Sequence, residues 1–505
     1  MIDRRTAATA LIIVCLLVYV VSLYGLWRSY DDIAAAYSGG ATPVLVLSPQ
    51  GEPIGTVVVA HGFAANIGVM RALGADLARN GYRAVLFDFP GYGNSRLPMN
   101  ETSMQVALDD VCARYGGEGY SLAGHSMGSL AVLLYGNNGS GRAVVGISSF
   151  YANASRELPR NMLLVAGAGD LPNVVSSLPQ AVANGTGLPD PAPGTTYGSA
   201  AGGTARKYLY VDGNHITVLY NAEAYDEIVR WLDATYRYNR TPGALRHDLP
   251  FTWAFAAIGA ALAAFLPGLY LLAGYARDME PGPGPFAPGS WARPLLVIAA
   301  ASLIAVAAAM AFNPASLLEI VMADQVIGLL FYSGAFALII LGLMGQPGPW
   351  KYGALPALKA LCIALAATVL LVVAIAIPAG LSFYEQPSTP GRLLLMAAAA
   401  LMALPFFVAC DLLSIRAGAL RSVATGIACR AIVLAFLALS FAASNGGFFN
   451  IVILPIVAVL FLSLEVVSYC AYRWTGNTLA GAFINALITG WLLASAFPAG
   501  PVSFH

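Results

Sequence analysis

Hydropathy along this chain falls into three blocks, and that division limits the fold more than any other feature. Residues 8–27 (ATALIIVCLLVYVVSLYGLW) form one nearly uncharged apolar run. About 20 such residues, wound as a helix, span the hydrocarbon core of a bilayer. Between about residues 40 and 240 charges return, apolar runs shorten to strand length, and Gly, Pro and Asn punctuate them. After Pro250 the apolar character resumes. Helices are expected near 252–275, 292–312, 317–344, 355–381, 392–415, 423–444, 449–472 and 477–497, with the Pro/Gly-rich stretch Glu280–Ser290 as a loop. The organisation expected is a transmembrane helix in 1–30, a globular domain in 40–240 and a membrane domain of about eight helices in 250–505. Only 10% of residues are charged, against roughly 25% in soluble domains, and the mean hydropathy is +0.70. The first apolar run is long for a cleaved leader and no clean A-x-A site follows it, so a retained signal anchor is expected.

The basic residues suggest an orientation. With Arg4 and Arg5 in the cytoplasm, the helix count puts Arg277 and Arg293, Lys351 and Lys359, Arg416 and Arg421, and Arg473 on that same side. The opposite loops (Asn313–Ser316, Ala443–Asn450 and the C-terminal tail) carry no Lys or Arg, and Arg392 is the exception. The expectation is an integral protein of the cell membrane, with its N-terminus cytoplasmic and the globular domain and C-terminus outside. Sequons begin at Asn100, Asn138, Asn153, Asn184 and Asn239, all in that domain. They fit either ordinary polar loops or a glycosylated external face. Formal net charge is zero, which gives no footprint for nucleic acid. The partner expected is the bilayer itself, and nothing indicates an oligomeric state. Of six cysteines only Cys112 lies in the polar block, so that domain has no internal disulfide. No CxxC or Cys/His cluster occurs, and neither a metal nor a cofactor is expected.

The motif that carries chemistry is Gly124-His125-Ser126-Met127-Gly128. It follows an apolar stretch, Tyr120–Ala123, and precedes a helix-like run, Ser129–Tyr135. Strand, sharp turn, helix is the setting of a nucleophile elbow, where flanking side chains would clash across the turn. A lone G-x-S-x-G is common by chance, but four other stretches accompany this one. Thr56–Ala60 leads into His61-Gly62-Phe63. Arg83–Phe87 leads into Asp88 and a Gly-rich turn through Ser95. Asn161–Ala166 ends in Gly167-Ala-Gly169-Asp170. Lys207–Val211 runs into Asp212-Gly-Asn-His215, ahead of an amphipathic helix around Ala222–Tyr236.

These stretches (HGFAAN, FDFPGYGNS, LAGHSMG, VAGAGD, DGNHITVLYN) give residues 55–236 a resemblance to the α/β-hydrolase superfamily, nearest its monoglyceride-lipase and serine-aminopeptidase-like branch. The resemblance implies an α/β fold with a mostly parallel sheet. It also implies a triad in chain order: Ser126 as nucleophile, Asp170 as acid and His215 as base. The backbone N–H groups of Phe63 and Met127 would be the oxyanion donors. Asp190 and Asp212 are neighbouring acids, and capping is role enough for Asp212. His61 and His125 read as structural, and Asp88 as the anchor of the Gly-rich turn.

About a dozen residues join Val144–Ser149 to Asn161–Ala166, which leaves no room for a large cap domain. An open site tethered to a bilayer at both ends points to an ester or thioester in a lipid or lipid-linked substrate. Acyl transfer by the same triad is the alternative enzyme. A transporter or sensor with a ligand-binding hydrolase-like domain is the non-enzymatic one. Glu319, Asp324, Asp411 and Glu465 fall in the apolar helices, where acids are costly. Glu319 and Asp324 read either as lining a membrane cavity or as interhelical glue, like Gln325 and Asn485.

Overall fold

The computed structural model describes residues 3–117, 119–239, 248–275, 291–346, 348, 353–414, 418–443 and 454–500. The expected loop Glu280–Ser290, and Arg277, Lys351 and Arg416, lie outside the described residues. Helix α1 (Arg4–Arg28) comes first. Eight strands follow: β1 (Ala34–Ser38), β2 (Val44–Ser48), β3 (Gly55–Ala60), β4 (Tyr82–Phe87), β5 (Tyr120–His125), β6 (Val144–Ile147), β7 (Met162–Gly167) and β8 (Arg206–Val211). Five helices are set among and after them: α2 (Ile67–Arg79), α3 (Glu101–Tyr115), α4 (Met127–Gly136), α5 (Pro172–Thr186) and α6 (Ala222–Tyr236).

The strands make one sheet in the order β1-β2-β4-β3-β5-β6-β7-β8. From β3 to β8 all pairings are parallel, whereas β1 and β2 run antiparallel at one edge. The α/β-hydrolase fold expected from the sequence is therefore present. Val57, Val58 and Val59 are β-branched and fully buried, as suits a central parallel strand covered on both faces. Helix α2 buries Met70, Leu73 and Leu77, and α6 buries Tyr225, Ile228 and Leu232. Both stripes repeat at i, i+3 and i+7, the spacing of one helix face.

By contacts the chain divides into two units. One comprises Met1–Tyr19, Gly259–Ile375 and Pro390–Ser495; the other comprises Val20–Ile258, Ala376–Thr389 and Ala496–His505. The sheet lies in the second unit. The helices after it are α7 (Asp248–Ala273), α8 (Ala292–Ala311), α9 (Ala323–Leu343), α10 (Ala354–Gly380), α11 (Pro390–Ser414), α12 (Ala419–Ala443), α13 (Leu454–Thr475) and α14 (Thr478–Ala496). With α1, nine helices among the described residues are long and apolar enough to cross a membrane.

In the first unit, helices meet where side chains are smallest. A Cβ on Gly334 of α9 would lie 2.1 Å from the backbone of Phe406 on α11, and one on Gly490 of α14 would lie 2.4 Å from Met396 O. Such close backbone approach is how helices associate in lipid. The intramembrane acids Asp411 and Glu465 both pair with Arg430 of α12, which is fully buried. Ser468 Oγ donates to Asp411 at 2.8 Å, and Asn485 Nδ2 donates to Ser468 at 2.7 Å. Arg392, the exception to the loop-charge pattern, is buried and donates to Ala494 O at 2.9 Å, in the carbonyl-rich last turn of α14.

One expected helix starts later than the sequence suggested. Pro314–Leu318 is a 3-10 turn capped by Asn313, whose side chain accepts from Ala315 N. Glu319 and Met322 then take left-handed backbone, with φ of 50° and 63°. No α-helix passes through such residues, so α9 begins at Ala323. Glu319 is exposed and lies outside any helix, and Asp324 lies in the first turn of α9, where its carboxylate accepts from Gln325 N.

Candidate active site

Strand β5 delivers the chain into a turn that only small neighbours permit. Ser126 has φ 53° and ψ −116°, a conformation costing of order 1–3 kcal/mol for a non-glycine residue. A Cβ on Gly124 would sit 2.3 Å from Gly128 O, and one on Gly128 would sit 2.4 Å from His61 O. Both glycines are thus required by contact. Ser126 N donates to Ile147 O at 2.9 Å and so holds the turn to the end of β6. Met127 opens α4, and its N–H is one of the first four of that helix, which have no acceptor within it.

Asp170 lies just beyond β7 and His215 just beyond β8. Gly169 N donates to Gly213 O at 2.9 Å, which ties the two loops together. The Asn214 side chain accepts from Ile216 N and Thr217 N and fixes the turn that presents His215. Three side chains that are 89 and 45 positions apart in sequence meet as a result. Ser126 Oγ lies 2.9 Å from His215 Nε2, and His215 Nδ1 lies 2.7 Å from Asp170 Oδ1. All three residues are at most 9% exposed.

The surroundings hold each member in place. Asp170 Oδ1 also accepts from Leu171 N at 2.7 Å, and Oδ2 accepts from Ser148 Oγ at 2.5 Å. Burial pushes the Asp170 carboxyl up. The hydrogen bonds from His215 and Ser148 outweigh that and keep it below the usual carboxylate range. An anionic Asp170 requires the proton of His215 to sit on Nδ1, which leaves Nε2 to accept from Ser126.

His125 and His61 are neutral supports, as the sequence suggested. Burial drives His125 down to about 3 and His61 down to about 4. His125 Nε2–H donates to His215 O at 2.9 Å, and His61 Nε2 accepts from Phe89 N at 3.0 Å. Asp88 accepts from Ile67 N and Asn94 N, both at 2.9 Å, and so joins the 61–67 turn to the Gly-rich turn. Asp190 and Asp212 are exposed.

Gly62 lies over the serine, since its Cβ position is 3.3 Å from Ser126 Cβ. Phe63 follows it, and its ring meets Tyr92 edge-on at 6.2 Å; Tyr92 O–H donates to Met127 Sδ at 3.2 Å. The two residues expected to supply oxyanion donors thus share one aromatic neighbour. The sequence reading missed Ser148, Tyr92 and Asn66. Ser148 had a usable signal, because it follows the end of β6 as Ser126, Asp170 and His215 follow theirs.

Residues 51–177 match the serine aminopeptidase, S33, family. That match takes in the elbow and Asp170 and stops short of His215. Among solved structures, TT1662 from Thermus thermophilus is 14% identical over 41% of this chain and 99% of its own, with a TM-score of 0.30. A membrane phospholipase A, described as a bacterial virulence factor, is 14% identical over 46% of this chain and 96% of its own, with a TM-score of 0.32. The epoxide hydrolase VrEH1 from Vigna radiata is 20% identical over 26% of this chain and 43% of its own, with a TM-score of 0.21. The chain thus spans less than half of that epoxide hydrolase. No curated protein matches the sequence.

Proposed function

We propose that the protein is a membrane-bound serine hydrolase, with a hydrolase domain over about residues 40–240, that cleaves ester or thioester bonds of lipid or lipid-linked substrates. The supporting observation is the unbroken hydrogen-bonded run from Ser126 Oγ through His215 to Asp170. In the mechanism His215 Nε2 takes the Ser126 proton as Oγ attacks the acyl carbonyl carbon. The Phe63 and Met127 N–H groups receive the charge that develops on the carbonyl oxygen. The tetrahedral species collapses, His215 protonates the departing alcohol or thiol, and an acyl-Ser126 remains. His215 then deprotonates water, which attacks the acyl carbon. The acid leaves, Ser126 regains its proton, and Asp170 stabilises the imidazolium in both halves.

The nine apolar helices support a substrate drawn from the bilayer. The loop-charge pattern supports placing the hydrolase domain outside the cell. The test is covalent labelling of the full-length protein by a fluorophosphonate, together with the lipid complement of membranes holding wild type or Ser126→Ala. Wild type should label at Ser126 and deplete one acyl-lipid class. Equal labelling of Ser126→Ala would overturn the assignment.

A further inference from the structure

The hydrolase-containing unit includes a strip of chain from far along the sequence. Residues 381–389, which connect the apolar helices α10 and α11, belong to it, as does Ala496–Gly500 after α14. The contacts of this strip converge on the loop that carries Phe63. Asn66 Nδ2 donates to Glu385 O at 2.7 Å, and Glu385 N donates back to Asn66 Oδ1 at 3.1 Å. Asn66 closes the His61–Asn66 loop and caps α2, accepting from Gly68 N at 2.9 Å. Asn94 Nδ2 donates to Glu385 Oε1 at 2.9 Å, and Ser388 N donates to Asn94 Oδ1 at 2.9 Å. Asn94 belongs to the turn fastened to the same loop through Asp88.

Two further contacts enclose the same place. Phe497 meets the Phe63 ring edge-on at 6.2 Å, and Ala499 N donates to Gly91 O at 2.9 Å. Phe383 stacks on Phe255 at 5.4 Å and lies 6.3 Å from Phe251, which packs on Tyr220 at 4.8 Å. Tyr220 ends the 3-10 turn just after His215. Gly68 lies so close to the strip that a Cβ there would come 2.2 Å from Glu385 N. Glu385 is half-buried, and that burial raises its carboxyl above the ordinary range.

We infer that Glu385 is a positioning residue for the active site, its strip fixing the loop that presents the Phe63 N–H to the oxyanion. The inference rests on the serine-hydrolase reading and gives one connection between apolar helices a part in catalysis. A donor must stand 2.7–3.1 Å from where the oxyanion will be, and loss of one such donor costs about 10²–10³ in kcat. A loosened donor forfeits part of that in the transition state while ground-state binding stays the same.

The test uses the full chain in detergent and a soluble p-nitrophenyl ester, with kcat expressed per serine titrated by fluorophosphonate. Asn66→Asp keeps the cap acceptor for Gly68 N and places an oxygen against Glu385 O. It should lower kcat roughly 10- to 100-fold, leave KM within about 2-fold, and weaken an alkyl trifluoromethyl ketone by the same factor as kcat/KM. Glu385→Ala should lower kcat about 10-fold, and Glu385→Gln, which keeps an acceptor for Asn94, should recover most of it. A purely structural role would reduce the titratable fraction and leave kcat per titrated serine unchanged. That outcome, within 2-fold of wild type for both Asn66→Asp and Glu385→Ala, overturns the inference. A wild type with no titratable serine would instead overturn the underlying reading.

Discussion

Replacing Asp170 by Asn removes a charge while leaving the surrounding hydrogen bonds almost unchanged. Oδ1 accepts from both Leu171 N and His215 Nδ1, and Oδ2 accepts from Ser148 Oγ. A backbone N–H has no lone pair to offer. The amide oxygen of Asn must therefore take the Oδ1 place, with its nitrogen toward Ser148, whose hydroxyl can turn to accept. His215 then keeps its proton on Nδ1, and what is lost is the attraction between carboxylate and imidazolium. Two unit charges about 4 Å apart are worth about 4 kcal/mol at an effective dielectric constant near 20. The neutral hydrogen bond that remains returns about 1 kcal/mol. At 1.36 kcal/mol per factor of ten, kcat should fall roughly 10²-fold, less than the ~10⁴ seen where the wrong tautomer is forced. Asp170→Ala strands a buried Nδ1–H as well and should cost about 10⁴ or more. The assay is kcat per titrated serine on p-nitrophenyl butyrate. If Asp170→Asn fell as far as Asp170→Ala, the Leu171 argument would be refuted; if it stayed within 3-fold of wild type, Asp170 would not be the acid.

Four shorter expectations follow from the same geometry. Asp212→Asn changes an exposed side chain, so kcat should stay within about 2-fold of wild type, and a loss matching Asp170→Asn would move the acid. Buried neutral His61 and His125 have folded values depressed to about 4 and about 3. Their contribution is complete above the unfolded value near 6.5 and is lost as pH falls toward those folded values; thermal melts of wild type should drop between pH 6.5 and 4.5 more steeply than those of His61→Gln. Arg430→Met leaves Asp411 and Glu465 buried without their cation and should lower expression and melting temperature sharply, whereas Arg430→Met combined with Asp411→Asn and Glu465→Gln should recover much of the loss. With the native cysteines removed, Cys at exposed Ser199 should react with an impermeant maleimide on intact cells and Cys at exposed Leu343 should not; the reverse would invert the orientation.

What the sequence revealed and what it hid have physical reasons. Ser126, Asp170 and His215 each follow a run of apolar strand residues, and strand ends are where this fold gathers its side chains. Seven of the eight helices after Pro250 could be read because about 20 apolar residues leave few alternatives. The start of α9 could not, because the obstacle is the left-handed backbone of Glu319 and Met322 rather than a break in hydropathy. Strand β1 was hidden for another reason. Its residues AAAYS are all exposed and show no alternation, and only pairing with β2 makes them a strand. Glu385 was unreadable as a neighbour of the site, since it meets Asn66 across 319 positions and nothing local in FYEQPS signals that meeting.

The order in which the unit containing the sheet is completed has a bearing on biogenesis. Its sheet and all three site side chains are encoded by Ile258, but Phe497 and Ala499 come near the end of the chain. At roughly 5–20 residues per second, the ribosome needs on the order of 10–50 s to supply the intervening stretch. During that interval a nascent chain has Ser126, His215 and Asp170 and lacks the last contacts on Phe63 and Gly91. If those contacts position the Phe63 loop as inferred, a chain interrupted partway through its helices has the three side chains together but a site whose loop is not yet fixed.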